Sequence, residues 1–146
     1  MRVFFGNLPL LMFAPPLTPP AMPNNDTFTG DSFDLPNGDL PVTLEITITG
    51  AVYEARTDLH CGSKHPKPKA NSFIHEVGTA LELCDQDLIV VTRITDMDPQ
   101  GDTVKYRFTV RCGDAVYDYT KTKTFAATPT KGQSVKYTTV LSLYAP

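Results

Sequence analysis

Tryptophan is absent from the sequence, and cysteine is scarce: only Cys61, Cys84 and Cys112 occur. An antibody-type domain packs a tryptophan against an inter-sheet disulfide, so that class is disfavoured. No C-x-x-C pair is present, which excludes a zinc ribbon and a thioredoxin-type motif. One disulfide plus one free thiol stays an open alternative, but we expect three isolated, partly buried thiols.

Helical periodicity and long apolar runs are also missing. No window of twelve or more residues carries apolar positions at 3.6-residue spacing, so we expect at most one or two helical turns. A membrane-spanning helix needs about 20 consecutive apolar residues, and no such run occurs. The sequence therefore predicts no membrane span.

Motifs that mark enzymes are not found either: there is no G-x-S-x-G, P-loop, dinucleotide-binding fingerprint or H-E-x-x-H. His60, Cys61, His65 and His75 contain suitable atoms for a metal site. However, adjacent residues in an extended chain point apart, and a fourth ligand is not evident. A Cys–His nucleophile pair would also need a positioned base and an oxyanion hole, which the spacing does not predict. We expect no catalysis, no cofactor and no bound metal.

Charge is distributed unevenly along the chain. Up to Ala55 one cation, Arg2, accompanies six carboxylates, whereas from Arg56 onward twelve cations accompany ten carboxylates. Neither part has the dense basic face that neutralises phosphates, so nucleic acid is not an expected partner. The only local basic run, residues 64–69, has three lysines and no aromatic platform. It is typical of a solvated loop, or of a contact with the acidic segment 26–39 of a neighbouring copy.

The N-terminal region has the composition of an extended arm. Residues 1–41 hold eight of the thirteen prolines, and proline disfavours helices and central strands. Two regions are predicted: an apolar, Pro-rich arm with an acidic loop segment at 1–39, and a β domain at 40–146. The large apolar side chains of the arm are the candidate interface residues: Val3, Phe4, Phe5, Leu8, Leu10, Leu11, Met12 and Phe13.

The same segment also resembles a secretory signal in part. Arg2 followed by the uncharged run at residues 3–14 imitates a charged region and a short apolar core. Asn7 and Pro9 interrupt that run, and further prolines follow where small residues would favour cleavage. Cleavage of the N-terminus therefore stays an open alternative.

Period-two alternation predicts that the rest of the chain is built of strands. Leu40 to Thr49 and Thr103–Cys112 alternate apolar and polar residues, which is typical of half-buried strands. The strand expected at residues 88–94 begins with the apolar run Leu-Ile-Val-Val, so we expect a central strand buried on both faces. Further strands are expected at about 27–33, 73–84, 115–125 and 135–144, with a hairpin turn at 85–87 and a loop at 58–71. This pattern predicts an all-β fold, an antiparallel β-sandwich of Ig-like or jelly-roll-like type.

One pairing is specific enough to predict its register. Gly113-Asp114 separates two alternating segments, and glycine supplies the positive φ that tight hairpin turns require. A two-residue loop would place the apolar residues of both strands on one face. The expected partners are Cys112 with Ala115, Val110 with Tyr117 and Phe108 with Tyr119.

These features favour a non-enzymatic structural protein over an enzyme. We expect a sandwich that its arm anchors to subunits of the same or a neighbouring kind, in a virion shell, decoration or tail component, or in another extracellular assembly. Burial of each large apolar side chain of the arm would contribute about 1.5–3 kcal/mol. The alternative is a secreted or periplasmic binding module with a signal sequence, adhesin-like or carbohydrate-binding.

Calcium is expected to add little stability. Asp96, Asp98 and Gly101 imitate the start of a calcium loop, but Arg107 stands where a bidentate glutamate would close it. Thermal unfolding with millimolar calcium and with chelator should give nearly the same midpoint. A rise of many degrees with calcium would contradict this and would identify Asp96, Asp98 and Asp102 as ligands.

Overall fold

The computed structural model describes residues 25–50, 53–97, 103–127 and 133–146. These residues form nine strands and one short helix in the following order: β1 Asn25–Asp34, β2 Pro41–Gly50, β3 Tyr53–Cys61, β4 Lys69–Ala70, β5 Phe73–Thr79, α1 Ala80–Leu83, β6 Asp87–Asp96, β7 Thr103–Cys112, β8 Ala115–Thr124 and β9 Ser134–Tyr144.

The strands form two sheets that pack face to face. Sheet A has the order β1-β9-β6-β3-β4, and sheet B has the order β5-β2-β7-β8. The predicted β-sandwich is therefore confirmed. One ladder departs from the antiparallel expectation, because β1 runs parallel to β9 while the other ladders are antiparallel.

Alternating side chains from both sheets fill the space between them. In β2 the predicted apolar positions Val42, Leu44, Ile46 and Ile48 are all buried. Strand β7 contributes the same pattern from Val104 to Cys112. Because strand side chains alternate between faces, the polar residues between them lie on the outer face, where Thr109 of β7 is nevertheless buried.

The predicted β7–β8 hairpin is confirmed, including its register. Cys112 lies opposite Ala115, Val110 opposite Tyr117, and Phe108 opposite Tyr119. Gly113 has φ +59° in the turn, as a tight hairpin connection requires.

Strand β6 lies in the middle of sheet A, as expected, but only one of its faces is buried. Leu88, Val90 and Ile94 are enclosed, whereas Ile89 is 37% exposed. The prediction of burial on both faces was wrong, since sheet B covers sheet A on one side only.

The segment predicted as a loop at 58–71 is partly strand. Strand β3 continues to Cys61 because Leu59 and Cys61 extend the inward alternation of Ala55 and Thr57. Gly62, with φ +60°, follows its end. Residues 69–70 then return as β4 and pair with Arg56 and Thr57.

The strand predicted at 73–84 ends early, at Thr79. Thr79 caps α1 through a capping box: its side chain accepts from the Glu82 N–H, and the Glu82 carboxylate accepts from the Thr79 N–H. This motif satisfies backbone donors in a helical turn and so ends the ladder. The expected hairpin at 85–87 was also wrong, because β5 and β6 belong to different sheets.

The strand expected near 27–33 is observed as β1, and its ladder with β9 places it in sheet A. Strand β1 precedes residue 39, after which the sequence predicts the start of the β domain. That domain boundary stays a prediction. The candidate interface residues of the arm, at 3–13, lie outside the described residues.

In the part of the chain that the structure describes, no helix is long and apolar enough to cross a membrane.

Replacing Gly50 by alanine should destabilise the sandwich. Gly50 has φ +148°, and a Cβ there would lie 2.7 Å from the carbonyl oxygen of Thr103. Because backbone cannot move aside easily, we expect a loss of about 1–3 kcal/mol in the free energy of unfolding, measured in urea. Gly30→Ala is the control: its Cβ would meet only the ring of exposed Phe28, so its effect should stay within about 0.5 kcal/mol. Equal stability of the two variants would contradict the expectation.

Candidate functional site

A groove of substantial size lies on the solvent-facing side of sheet A. Its volume is about 550 Å³, within the range of about 300–1,000 Å³ typical of small-ligand sites. Strands β3 and β6 supply most of its lining, and the β4 region closes one side. The lining residues are Glu54, Ala55, Arg56, Asp58, Ala70, Asn71, Val91, Arg93 and Thr95.

Two arginines stand side by side in this groove. Arg56 of β3 lies directly opposite Arg93 of β6, and Lys136 of β9 lies opposite Arg93 on its other side. Lys136 has a carboxylate partner, Asp26, at 3.5 Å. Among residues 25–50, 53–97, 103–127 and 133–146, no carboxylate oxygen lies within 4.0 Å of the Arg56 or Arg93 guanidinium.

Asn71 fixes the wall of the groove beside β4. Its backbone N–H donates to the Ala55 carbonyl at 3.0 Å, and its side-chain oxygen accepts from the Ala55 N–H at 3.3 Å. Asn71 has φ +56°, a conformation that asparagine tolerates better than most residues. The small side chain of Ala70 lies opposite Arg56, which leaves space beside the guanidinium.

The residues considered for a metal site are divided between two environments. His60 and His65 are exposed, and their rings stack with centroids 3.7 Å apart. Cys61 is buried on the inner face, whereas His75 of β5 lines one cavity together with His65. Within the described ranges, no group of three or more histidine, cysteine or acidic side chains is arranged to hold a metal ion.

The thiols are protected rather than activated. All three cysteines are free, as the sequence predicted. Burial, with a smaller contribution from Asp87, raises the pKa of Cys61 to about 11, and burial raises the pKa of Cys112 as well. Since the thiolate is the nucleophile, neither buried thiol is poised for covalent catalysis.

A network of buried hydroxyl groups crosses the core. The Oγ1 atoms of Thr57 and Thr92 are 2.8 Å apart, and Thr92 Oγ1 lies 3.1 Å from the Tyr106 hydroxyl. Nearby, the Tyr119 hydroxyl is hydrogen-bonded to Thr139. Burial raises the pKa of Tyr106 well above its ordinary value. These hydroxyls join the two sheets and are enclosed by them, so we assign them to the core.

The acidic turn considered for calcium is described only at its start. Asp96 is buried at the end of β6, and its N–H donates to the Gln133 carbonyl at 2.7 Å. Asp98 and Asp102 lie outside the described residues, so the calcium expectation stays a prediction.

Lys64, in the basic run, has a partner within the chain. Its ammonium lies 3.6 Å from Glu82 of α1. In the acidic segment, Asp26 pairs with Lys136. The interaction considered between these two segments in neighbouring copies stays untested.

Comparison with family models, curated proteins and solved structures found no match for this chain. The sheet topology gives the fold class, an all-β sandwich. Function is inferred from the surfaces of that sandwich.

The arginine pair was not among the sequence-predicted site residues. Arg56 and Arg93 are 37 positions apart in the sequence, and only the β3–β6 register brings them together. In the sequence, Arg56 and Arg93 each occupy a polar position of an alternating strand. That position indicates that the side chain is exposed, but it does not indicate which strand it pairs with.

Stability should fall at alkaline pH. Burial raises the pKa of Tyr106, Tyr119 and Tyr137 above 10.0 and that of Cys61 above 9.0. The folded chain keeps these protons where the unfolded chain loses them, so their stabilisation is complete below about pH 9 and is lost as pH rises further. The urea midpoint should be level near neutrality and should fall steadily above about pH 9.

Tyr106→Phe provides the matched control for this pH dependence. It should cost about 1 kcal/mol at neutral pH, because the Thr92 hydroxyl loses one partner but keeps Thr57. Its alkaline decline should be shallower than that of the unmodified chain. An alkaline decline equally steep in both proteins would contradict the assignment to Tyr106.

Proposed function

We propose that this chain is a non-enzymatic structural subunit that joins a larger assembly, such as a virion shell, decoration or tail component, through its N-terminal arm. One observation carries the proposal: the sequence places eight large apolar residues at positions 3–13, ahead of β1, which is an edge strand of sheet A. Soluble monomers seldom expose that much apolar surface, so the arm needs a partner surface.

The sandwich has its own core to hold it together. The buried apolar cluster extends from Phe33 to Leu143 and includes residues of both sheets. This supports a role for the predicted arm outside the core of the sandwich.

The described surface has one small cavity with a largely apolar lining, which includes Leu35, Leu81 and Pro146. Exposed large apolar side chains are scattered over sheet A, sheet B, α1 and the segment before β2. They are Phe28, Leu40, Ile74, Leu81, Ile89, Val116 and Tyr144. Ile74 and Val116, for example, lie on opposite edge strands of sheet B, with β2 and β7 between them. The cavity, of about 170 Å³, and these dispersed side chains offer little room for eight large apolar groups, which supports docking of the arm on a subunit of a neighbouring kind.

The position and composition of the predicted arm would allow it to reach a neighbouring subunit. It precedes Asn25, which begins the edge strand at the level of Val135. As a polyproline-like segment it would extend by roughly 3.1 Å per residue and span about 70 Å over 24 residues. Its prolines also lower the entropy lost on docking.

The second candidate function is a secreted or periplasmic binding module. Arg2 and the uncharged run behind it favour this reading. Mass spectrometry of the natural protein separates the two functions: a retained segment 1–14 supports the arm, and its removal supports secretion.

Deleting residues 2–22 should leave a folded domain that no longer assembles. Circular dichroism should show an unchanged β spectrum, because the cluster from Phe33 to Leu143 stays intact. The fraction of the chain that sediments with high-molecular-mass particles from producing cells should fall to background, since the apolar anchor is lost.

Two full-length variants test which property of the arm matters. Replacing its eight large apolar residues by serine should abolish assembly as the deletion does. Replacing Pro15, Pro16, Pro19 and Pro20 by alanine keeps the apolar groups and should weaken assembly only in part. Normal assembly of the deletion variant or of the serine variant would refute the proposal.

A further inference from the structure

We propose that the groove over Arg56 and Arg93 binds a single oxyanion group, either a carboxylate or a phosphate, carried by a small ligand. This inference is independent of the role proposed for the arm. It depends on the β3–β6 register, on the absence of carboxylate partners for the two guanidinium groups in the described part of the chain, and on the volume of the groove.

Repulsion between the paired arginines lowers the stability of the folded chain. Side chains directly opposite each other on neighbouring strands have Cβ atoms about 4.5–5.5 Å apart, and like charges there are destabilising. On sheet B, by contrast, two exposed arginines have carboxylate partners: Arg107 pairs with Asp118 and Arg111 with Glu45, each at 2.6 Å. An oxyanion between Arg56 and Arg93 would place a negative charge between the two guanidinium groups, in addition to the carboxylates of Glu54 and Asp58 that line the same groove.

Guanidinium chemistry defines the type of group that fits. Each guanidinium presents a planar fork of N–H donors that matches two oxygens of a carboxylate or phosphate. Two forks side by side can share one such group. Ala70 and the Asn71 wall leave open space next to Arg56 for the rest of the ligand.

The carboxylates of β3 restrict the ligand further. Glu54 and Asp58 share the outer face with Arg56 and lie about 6.7 Å from it along the strand, one on each side. They would repel additional negative groups, so a nucleic acid or other polyanion is disfavoured. A ligand with a single oxyanion can pair with the two arginines and carries no second negative group for Glu54 or Asp58 to repel.

The test uses inorganic phosphate and acetate as probes, with sodium chloride at matched ionic strength as the reference. In the full chain, either probe should shift the amide resonances of β3 and β6 around residues 56 and 93 in a saturable way and raise the melting temperature. A response to phosphate alone identifies a phosphate ligand. A response to acetate that is at least as strong as the response to phosphate identifies a carboxylate ligand.

Arg56→Gln and Arg93→Gln should each weaken the apparent affinity for the responding probe by at least about tenfold, as expected for loss of a charge-assisted bidentate contact. Without probe, both variants should melt at or above the temperature of the unmodified chain, because repulsion is relieved. Lys105→Gln removes the same charge from the outer face of sheet B and should leave the response unchanged.

Two results would overturn the proposal. One is the lack of any saturable response of β3 and β6 to phosphate and to acetate beyond that of chloride. The other is a response that Arg56→Gln, Arg93→Gln and Lys105→Gln all retain equally, which would show general screening of surface charge.

Discussion

The fold depends on one chain of hydrogen bonds inside the sandwich, from Thr57 through Thr92 to Tyr106. It begins on β3 and β6 in sheet A and ends on β7 in sheet B. A buried hydroxyl without a partner costs about 1–3 kcal/mol, so alternative packings of the two sheets are penalised. The Tyr137 ring stacks on Tyr106 with centroids 4.7 Å apart, and this contact ties β9 to the same point.

The same register places the arginine pair outside. Thr57 faces Thr92 in the ladder, and one residue earlier on β3, Arg56 faces Arg93. Because side chains alternate strictly, a slip of one residue would expose the threonines and bury the arginines. The polar contact inside therefore determines which charges meet on the surface, and the core and the groove cannot change independently.

Local pattern was sufficient to predict much of the fold. Alternation identified β2, β7, β8 and β9, and a glycine-containing turn gave the β7–β8 register, since these signals lie within a few residues. It failed at Thr79, where a capping box outweighs strand propensity. The Arg56–Arg93 groove could not be predicted, because no local signal determines which distant strands pair. The arm was predicted from composition, which indicates apolar contact but does not identify its partner, and it stays a prediction.

The parallel ladder between β1 and β9 has a mechanical consequence. Strand β1 begins at Asn25, whereas β9 ends at Tyr144, at the opposite end of their ten paired residues. Tension between these two points pulls the strands past each other in shear. The hydrogen bonds of the ladder then carry the load together and must break nearly at once, whereas a ladder pulled open from one end loses its bonds one by one. A load applied to the sandwich at Asn25 and Tyr144 therefore acts in the direction that this ladder resists best.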